Sequence, residues 1–337
     1  MSEGFDIPIV VFFFNRDDLI VKIIDRISEI KPKKMYLMSD AGRNPEEAEM
    51  VNKTRAAVEQ RITWDCEIVK NYAETNRGVY QSIGKGAQWV FEREREAIFL
   101  EDDNLPELTF FAYCKELLEK YRDDNRILWI CGTNYLTDYT PADGSSYMFT
   151  KHLLPCGWAS WSHKFLKYYD GEMNGMEAKK IEKLLCYSYE DKALYRQQIY
   201  NFKGTYYKLR HSQRVSWDHQ MCFSLRYNNM LGISPSKNQI KNIGADERST
   251  HGGTGLNKVM TRRFCGMDSK PLEFPLIHPD HVMVDAEYEY KIGKIILQPL
   301  SKRIVYKIVR LIKPFLGFGP YDSVSLAAIK KKFKRQK

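Results

Sequence analysis

The N-terminal part of the chain alternates between short apolar runs and amphipathic stretches, and no other feature restricts the possible fold as strongly. Three runs are apolar enough to form buried strands, and they cover residues 7–14, 35–38 and 66–69. In the stretches between them, apolar residues recur every three or four positions, as in helices that bury one face. Strands that alternate with helices predict a parallel sheet covered by helices on both faces. We therefore expect an α/β fold.

A fourth apolar run, residues 97–100, ends in three adjacent carboxylates, Glu101, Asp102 and Asp103. Like charges at the end of a buried strand repel one another, so a cation is expected to hold them together. Carboxylate oxygens suit Mg²⁺ or Mn²⁺, and these ions also bind phosphates. The alternative is three solvated loop charges, since a Pro and a Glu typical of a helix start follow them. The position after a buried strand favours the metal site.

Further polar residues stand where the other predicted strands end. Ligands of parallel sheets bind beyond the carboxyl ends of the strands, and Asn15 and Asp40 follow the first and second strands. For either residue alone, a helix cap or a turn is the alternative role. Between the third and fourth strands, Gly78 allows a tight helix start and Arg77 could contact phosphate. A plain turn is the alternative there, but the location between two sheet strands predicts the edge of a nucleotide pocket.

The second half of the chain adds three features that could take part in chemistry. Gly157 precedes Trp158, and an aromatic ring beside a flexible Gly suits stacking on a sugar, with a core corner as the alternative. Asp218 begins a predicted helix beside Trp217, where it is either the helix cap or an active carboxylate in a closed site. His251 lies in a polar, Gly-rich loop. Solvent exposure, metal ligation and phosphate contact are its possible roles.

The net charge of +9 is concentrated near the C-terminus. Residues 291–337 contain thirteen Lys or Arg and one acid, so the preceding chain is slightly acidic. Apolar residues such as Ile304 fall on one helical face and basic residues such as Arg303 on another. This pattern predicts a basic amphipathic helix and binding of residues 300–337 to an anionic membrane surface, with a helix docked on the domain as the alternative. A nucleic-acid binder would spread its basic residues over a folded face, so no nucleic acid is expected.

Cysteine usage and hydropathy favour a cytoplasmic location. Seven cysteines without a C-x-x-C pair give neither a disulfide framework nor a zinc spacing. Apolar runs are too short to span a membrane, and the acidic N-terminal residues are unlike a signal peptide. We expect a cytoplasmic protein that associates peripherally with the inner face of the membrane.

Taken in order, these motifs resemble those of the GT-A glycosyltransferases. The chain looks like the branch that contains animal N-acetylglucosaminyltransferases acting on N-glycan cores and bacterial surface-polysaccharide enzymes. The matching motifs are Phe14-Asn15-Arg16, Ser39-Asp40, Asn76-Arg77-Gly78, Ile98-Phe99-Leu100-Glu101-Asp102-Asp103, Leu154-Pro155-Cys156-Gly157-Trp158, and the loop from Asn242-Ile243-Gly244 to Thr250-His251. The resemblance covers roughly residues 7–255.

This resemblance implies a Rossmann-like GT-A fold, with a mixed, mainly parallel sheet flanked by helices. It implies a glycosyltransferase domain over residues 1–260, in which residues 1–133 bind the nucleotide-sugar and residues 134–260 form the acceptor side. Residues 261–337 would be a C-terminal extension that carries the basic amphipathic helix.

The resemblance also implies a role for each matching residue. Asp218 would be the general base, and Asp103 and His251 would bind the metal, Mn²⁺ or Mg²⁺. The residues that would bind the nucleotide-sugar are Asn15, Arg16, Asp40, Arg77, Gly78, Glu101 and Asp102. Those that would contact the acceptor or the sugar are Gly157, Trp158 and Trp217.

The implied activity is transfer of a hexosyl or N-acetylhexosaminyl group from a nucleotide-sugar, with a UDP-sugar favoured, to a hydroxyl of a glycan or lipid-linked acceptor. It would serve cell-surface polysaccharide or glycolipid synthesis. One base and one metal site suffice for a single displacement with inversion, so an inverting enzyme with Asp218 as the base is expected. A retaining enzyme would not need Asp218 as a base, so the stereochemistry stays open. The alternatives are an inactive nucleotide-sugar-binding scaffold, a nucleic-acid binder that uses the basic tail, and a sugar-phosphate nucleotidyltransferase. The last predicts a Gly-rich loop near the first strand, where residues 15–18 contain no glycine.

Overall fold

The computed structural model describes residues 4–245 and 266–322, and an eight-stranded sheet runs through its centre. A second, two-stranded sheet is formed by β5 and β10. The strands are β1 (Ile9–Phe13), β2 (Lys34–Ser39), β3 (Glu67–Tyr72), β4 (Glu96–Glu101), β5 (Asn104–Pro106), β6 (Ile127–Cys131), β7 (Tyr147–Thr150), β8 (Trp158–Trp161), β9 (Leu231–Pro235) and β10 (Ile240–Asn242).

The large sheet has the order β3-β2-β1-β4-β8-β6-β9-β7. Strands β3, β2, β1 and β4 are parallel, whereas β8 is antiparallel to both of its neighbours. β6 and β9 are parallel to each other, and β7 is antiparallel to β9. This mixed, mainly parallel sheet, with helices against it, confirms the predicted α/β fold of the GT-A kind.

The helices mostly follow the predicted periodicity. Those described are α1 (Asp17–Ser28), α2 (Pro45–Arg61), α3 (Gly86–Phe91), α4 (Leu108–Lys120), α5 (Ser162–Tyr168), α6 (Ile181–Tyr187), α7 (Lys192–Arg210), α8 (Asp218–Tyr227), α9 (Ala286–Ile296) and α10 (Leu300–Ile312). In α1, for example, Leu19, Ile23 and Ile27 stand four positions apart and are buried. None of these described helices is long and apolar enough to cross a membrane.

Each face of the large sheet carries its own hydrophobic core. Along β1, Ile9, Val11 and Phe13 point into one buried cluster, and Val10 and Phe12 point into the other. This alternation follows from the pleat of a strand. Because helices cover both faces, the strand is apolar throughout.

Part of the predicted C-terminal extension belongs to this core. Tyr288 and Ile292 of α9 are fully buried in one cluster, and Leu272 and Leu276 are buried in the other. The predicted boundary at residue 260 lies outside the described residues. Residues 266–296 are nevertheless integrated into the domain, whereas the following helix, α10, contains no buried residue.

Candidate active site

Four carboxylates gather at the edge of the sheet where β4 ends. Glu101 is the last residue of β4, Asp102 and Asp103 follow it, and Asp218 is the first residue of α8. Burial raises the pKa of Glu101 well above its ordinary value, and repulsion from Asp103, Asp102 and Asp218 adds to the rise. The fold thus brings together acids from two distant segments of the chain.

The segment after β1 contacts this group because β1 and β4 are neighbours in the sheet. The backbone N–H of Phe14 donates to Oδ2 of Asp102 at 3.1 Å. Asn15 is half-buried and Arg16 is buried. Burial and the charge of Asp103 raise the pKa of Asp102 to about 7, against the opposing effects of that hydrogen bond and of Arg16.

The start of the predicted late loop reaches Asp103 because β10 pairs with β5. The N–H of Ile243 donates to the backbone carbonyl of Asp103 at 2.9 Å. A Cβ atom added to Gly244 would lie 2.6 Å from Oδ2 of Asp103, so only glycine fits this approach. With its amide turned so that nitrogen faces the acid, Asn104 donates to Oδ1 of Asp103 at 2.9 Å. His251, the other predicted metal ligand, lies outside the described residues.

The surroundings of Asp218 favour its ionised form, and one of its two oxygen atoms has no hydrogen bond to the described residues. Its Oδ1 is buried and makes no hydrogen bond within the described part of the chain. Burial would raise its pKa, but the nearby His219 and a hydrogen bond from Ser216 outweigh burial, and the pKa lies below its ordinary value. A carboxylate that is charged at neutral pH can take a proton from a hydroxyl group.

Asp40 organises the neighbouring loop. Its Oδ1 accepts hydrogen bonds from the N–H groups of Ala41 and Arg77, both at 2.8 Å. Its Oδ2 accepts from the N–H of Gly78 at 2.8 Å and from the side chain of Asn76 at 3.2 Å. A carboxylate has about four acceptor positions, so none is left for a nucleoside. The predicted nucleoside contact of Asp40 is corrected to a structural role that fixes residues 76–78.

The loop that Asp40 fixes forms the outer end of the site. Gly78 has a φ of 81°, a left-handed conformation that glycine adopts without strain. The guanidinium of Arg77 donates to Oδ1 of Asn71 at 3.1 Å, on the edge strand β3. Three strand spacings separate β3 from β4, or about 14 Å. Arg77 is therefore placed far from the carboxylates, toward the nucleoside end of any donor bound across these strands.

The predicted aromatic contacts to a sugar lie in the core instead. The ring of Trp158 stacks between Phe99 and Trp129, with centroid distances of 3.9 and 4.1 Å. Trp217 is also buried, and its ring packs at 5.7 Å from Trp158 and 5.9 Å from Trp129. Because both faces of Trp158 are covered, the predicted sugar contacts of these two tryptophans are corrected to core packing.

Gly157 also has a packing role. It is buried with a φ of 61°, and a Cβ atom there would lie 2.6 Å from Cγ1 of Ile240. Its carbonyl accepts a hydrogen bond from the N–H of Gly132 at 2.7 Å. The predicted acceptor contact is therefore corrected: Gly157 allows β10 to approach the main sheet.

The sequence did not indicate the contacts of two arginines near the strand ends, Arg55 and Arg214. Arg55 of α2 donates through Nε to the hydroxyl of Ser39 at 3.0 Å and through Nη2 to the carbonyl of Ala73 at 3.1 Å. Arg214 donates to Oδ1 of Asn76 at 3.0 Å. Neither residue belongs to a motif, and the contacts join segments far apart in sequence, so no local signal could reveal them.

The acids fit part of a divalent-metal site. Among the described residues, no three His, Cys, Asp or Glu side chains form a complete ligand set. Mg²⁺ commonly uses one or two carboxylates and completes its shell with water and substrate phosphates. Burial, together with mutual repulsion, raises the pKa of Glu101 and Asp102, and a bound cation would offset the repulsion.

Comparisons with known proteins add likenesses in fold. No protein-family model and no curated protein matches the chain. A UDP-glucose pyrophosphorylase complexed with UDP-glucose is 10% identical, with a TM-score of 0.35 over 71% of this chain and 94% of the other. Residues 1–349 of S. aureus TarS are 10% identical, with a TM-score of 0.36 over 70% and 59% of the chains.

A third likeness is the bifunctional glycosyltransferase WbbM, which is 12% identical, with a TM-score of 0.28 over 68% of this chain and 39% of the other. With TM-scores this low, the likenesses carry no inference about activity. The sheet order itself defines this chain as an α/β protein of GT-A-like fold, with acids gathered at the carboxyl edge of the sheet.

Proposed function

We propose that this chain is a metal-dependent glycosyltransferase that moves a hexosyl or N-acetylhexosaminyl group from a nucleotide-sugar, preferably a UDP-sugar, to a hydroxyl of a glycan or lipid-linked acceptor. Its cellular role would be the synthesis of surface polysaccharide or glycolipid. The observation that carries the proposal is the meeting of Asp218 with Glu101, Asp102 and Asp103 beyond β4. Such a group offers both a site for a cation and a separate base.

The proposed roles follow from these positions. Asp103, with His251, would hold Mn²⁺ or Mg²⁺, and the bound ion supplies positive charge that offsets the charge of the departing nucleoside diphosphate. Glu101 and Asp102 would face the ribose and the sugar of the donor.

Asp218 would act as general base. The acceptor hydroxyl gives its proton to Asp218 while its oxygen bonds to the anomeric carbon. The bond from that carbon to the diphosphate oxygen breaks, and its electron pair leaves with the nucleoside diphosphate. A positioned base contributes roughly 10²–10⁴ in rate. A single displacement of this kind inverts the anomeric configuration.

A thermal-shift and product screen tests the donor and the metal together. Nucleotide-sugars are added with Mn²⁺, with Mg²⁺ and with EDTA, because a ligand that binds only the folded state raises the melting temperature. We expect a shift with one donor that is lost in EDTA and in Asp103→Asn. Asp218→Asn should keep the shift but lose transfer, and Asp123→Asn, an exposed acid, should behave as wild type.

The reaction products distinguish a glycosyltransferase from a sugar-phosphate nucleotidyltransferase. Release of a nucleoside diphosphate is the expected result for sugar transfer. Formation of a nucleotide-sugar from a nucleoside triphosphate and a sugar phosphate, with release of pyrophosphate, would show a nucleotidyltransferase instead. A folded protein that responds to no donor would contradict the proposal, and a donor-dependent thermal shift without any transfer in the wild type would favour the inactive nucleotide-sugar-binding scaffold.

We further propose that residues 300–337 bind an anionic membrane surface, and the orientation of α10 supports this. The guanidinium of Arg310 lies 3.3 Å from the ring centroid of Tyr200 on α7, so a basic side of α10 faces the domain. Its apolar side faces outward, with Leu311 66% exposed and Ile304 and Ile308 each 50% exposed. A helix that docks on its own domain normally buries this apolar stripe.

The reversed orientation of α10 leaves an apolar face in water with basic residues along its borders. A lipid surface would take up the apolar face, and anionic headgroups would pair with the exposed lysines at its borders, Lys302 and Lys307. Residues 330–337 add further positive charge in sequence. The protein would then be peripheral on the cytoplasmic face of the membrane, close to a lipid-linked acceptor.

Vesicle flotation tests the membrane contact. We expect the full chain to float with phosphatidylcholine vesicles that contain phosphatidylglycerol and not with phosphatidylcholine alone. The variant Ile304→Ser/Ile308→Ser/Leu311→Ser should lose flotation, since these exposed side chains provide the apolar face. Leu184→Ser/Met283→Ser removes exposed apolar residues elsewhere and should float as wild type. Equal flotation of both variants would contradict the proposal.

A further inference from the structure

The chain between α7 and α8 crosses from the second half of the domain to the nucleotide side of the site. It leaves α7 through a turn in which Gln213 N–H bonds to the carbonyl of Lys208 at 2.9 Å. Arg214 then reaches the loop after β3, and Asp218 begins α8 four residues later. One short segment therefore touches both ends of the candidate site.

Arg214 donates to the side-chain oxygen of Asn76, and the side chain of Asn76 is held in a fixed orientation. The side-chain nitrogen of Asn76 donates to Oδ2 of Asp40 at 3.2 Å and to the carbonyl of Ala41 at 2.7 Å. Both of its donor positions are thus used, and Oδ1 is turned toward Arg214, whose Nη2 lies 3.0 Å away. The side chain of Arg214 also passes 4.0 Å from the position of a Cβ atom on Gly78.

Arg214 keeps most of its hydrogen-bonding capacity. It is exposed, and among the described residues its charge acts on Glu47, whose pKa is lowered first by the closer Arg43 and then also by Arg214, without a direct bond from Arg214 to that carboxylate. A guanidinium has five N–H donors and a planar face that stacks on bases. One donor is used on Asn76, so the rest of the group is available to a ligand lying over the ends of β1 and β2.

The position of Arg214 relative to the acidic triplet indicates which part of a nucleotide donor it could contact. The loop that it contacts is held by Asp40 at the end of β2, and the acidic triplet follows β4, with β1 between them. Two strand spacings amount to about 10 Å. A diphosphate placed at the acids would therefore extend its ribose and base toward Arg214.

We propose that Arg214 binds the nucleobase of the donor, by hydrogen bonding to a carbonyl oxygen of the base or by stacking on its face. This inference rests on the proposed function, since it assumes a nucleotide donor across β1. It assigns to the second half of the chain a part in nucleotide selection that the resemblance gave to the first half alone.

Isothermal titration of the full chain with two probes tests this assignment. UDP carries a base, and pyrophosphate does not, and both are titrated in Mn²⁺. We expect Arg214→Ala to weaken UDP binding about tenfold, the value for loss of one charge-assisted hydrogen bond, and to leave pyrophosphate binding unchanged. Arg214→Lys should recover only part of the UDP affinity, because it lacks the planar fork. Arg196→Ala, an exposed arginine on α7, serves as the matched control.

The possible failures can be told apart. If Arg214→Ala binds UDP as tightly as wild type, the inference is overturned and the proposed donor binding stands. If UDP and pyrophosphate weaken equally, Arg214 holds phosphate and the assignment to the base is overturned. If the wild-type chain binds no nucleoside diphosphate, the inference and the proposed function fail together. Unchanged melting temperatures exclude misfolding as the cause of any loss.

Discussion

The approach of Gly244 to Asp103 leaves no room for a side chain at position 244. An added Cβ atom would lie 2.6 Å from Oδ2 and 2.9 Å from Cβ of Asp103. The loop cannot retreat easily, because Asn242 pairs with Asn104 in the small sheet. Any larger residue must therefore displace the carboxylate that we propose as a metal ligand.

We predict that Gly244→Ala impairs metal-dependent activity more than stability. The Mn²⁺ concentration for half-maximal activity should rise by about tenfold, equivalent to roughly 1.4 kcal/mol of metal binding. The melting temperature should change little, since the loop lies at the edge of the fold. Gly232→Ala is the control, because a Cβ atom there makes only ordinary van der Waals contacts, at 3.6 Å from the nearest atom, and its φ is not in the left-handed region. Unchanged Mn²⁺ dependence would show that Asp103 does not bind the metal.

At this scale the sequence indicated which acids would gather, because strand ends of a parallel sheet share an edge. The sequence could not indicate which of these carboxylates keep acceptor positions open for a ligand. Asp40 is saturated by backbone N–H groups, including those of Arg77 and Gly78, whose loop is distant in sequence. The stack that covers Trp158 likewise depends on Trp129, a residue of another strand. Such contacts exist only once the strands are paired.

Among the secondary-structure elements, α9 and α10 differ sharply although only three residues separate them. α9 buries Tyr288 and Ile292 completely and places Glu289 against Arg226 of α8, with Oε1 2.7 Å from Nη2. α10 buries none of its side chains. The sequence predicted the amphipathic character of α10 from its periodicity. It did not reveal that α9 belongs to the core, because the partner of Glu289 lies in a distant helix.

We predict that two truncations separate these elements. A chain that ends after Val284 loses α9 and should lose several kcal/mol of unfolding free energy. Burial of Tyr288 and Ile292 contributes about 1.5–3 kcal/mol each, and an unpaired buried Arg226 costs about 3–5 kcal/mol. A chain that ends after Gln298 keeps α9 and should stay within about 1 kcal/mol of the full chain. Urea unfolding measures both, and equal losses would contradict the assignment of α9 to the core.

For the molecule as a whole, a buried polar cluster joins the C-terminal segment to the sheet and to α8. Glu289 accepts hydrogen bonds from Thr150 Oγ1 at 2.6 Å and from the N–H of Lys151 at 2.9 Å, besides its pair with Arg226. Arg226 can only donate, so Nδ1 of His152, 3.3 Å away, is the acceptor. The proton of His152 then lies on Nε2, which faces the carbonyl of Glu289 at 3.1 Å.

This cluster predicts loss of stability in mild acid. Burial lowers the pKa of His152 to about 4, with Arg226 acting in the same direction and Glu289 opposing it. The unfolded chain takes up this proton near the ordinary pKa of about 6.5, so the folded state loses stability as the pH falls from 6.5 toward 4. On the order of 2 kcal/mol should be lost by pH 5 from this group.

The pH dependence can be assigned with two variants. His152→Gln should reduce the slope of unfolding free energy against pH between about pH 7 and pH 5, measured by urea titration, because it removes the titrating group. His163→Gln, at an exposed histidine, should leave the slope as in the wild type. An identical slope in His152→Gln would show that other groups determine the acid sensitivity.

The outward apolar face of α10 has a kinetic consequence for an acceptor that carries a lipid. In the proposed membrane-bound state, the protein and a lipid-linked acceptor would occupy the same thin layer, and their encounters would occur in two dimensions at a high effective concentration. An active site of modest acceptor affinity would then suffice, because the membrane supplies the proximity. Shortened, water-soluble acceptors would need far higher bulk concentrations to reach the same rate.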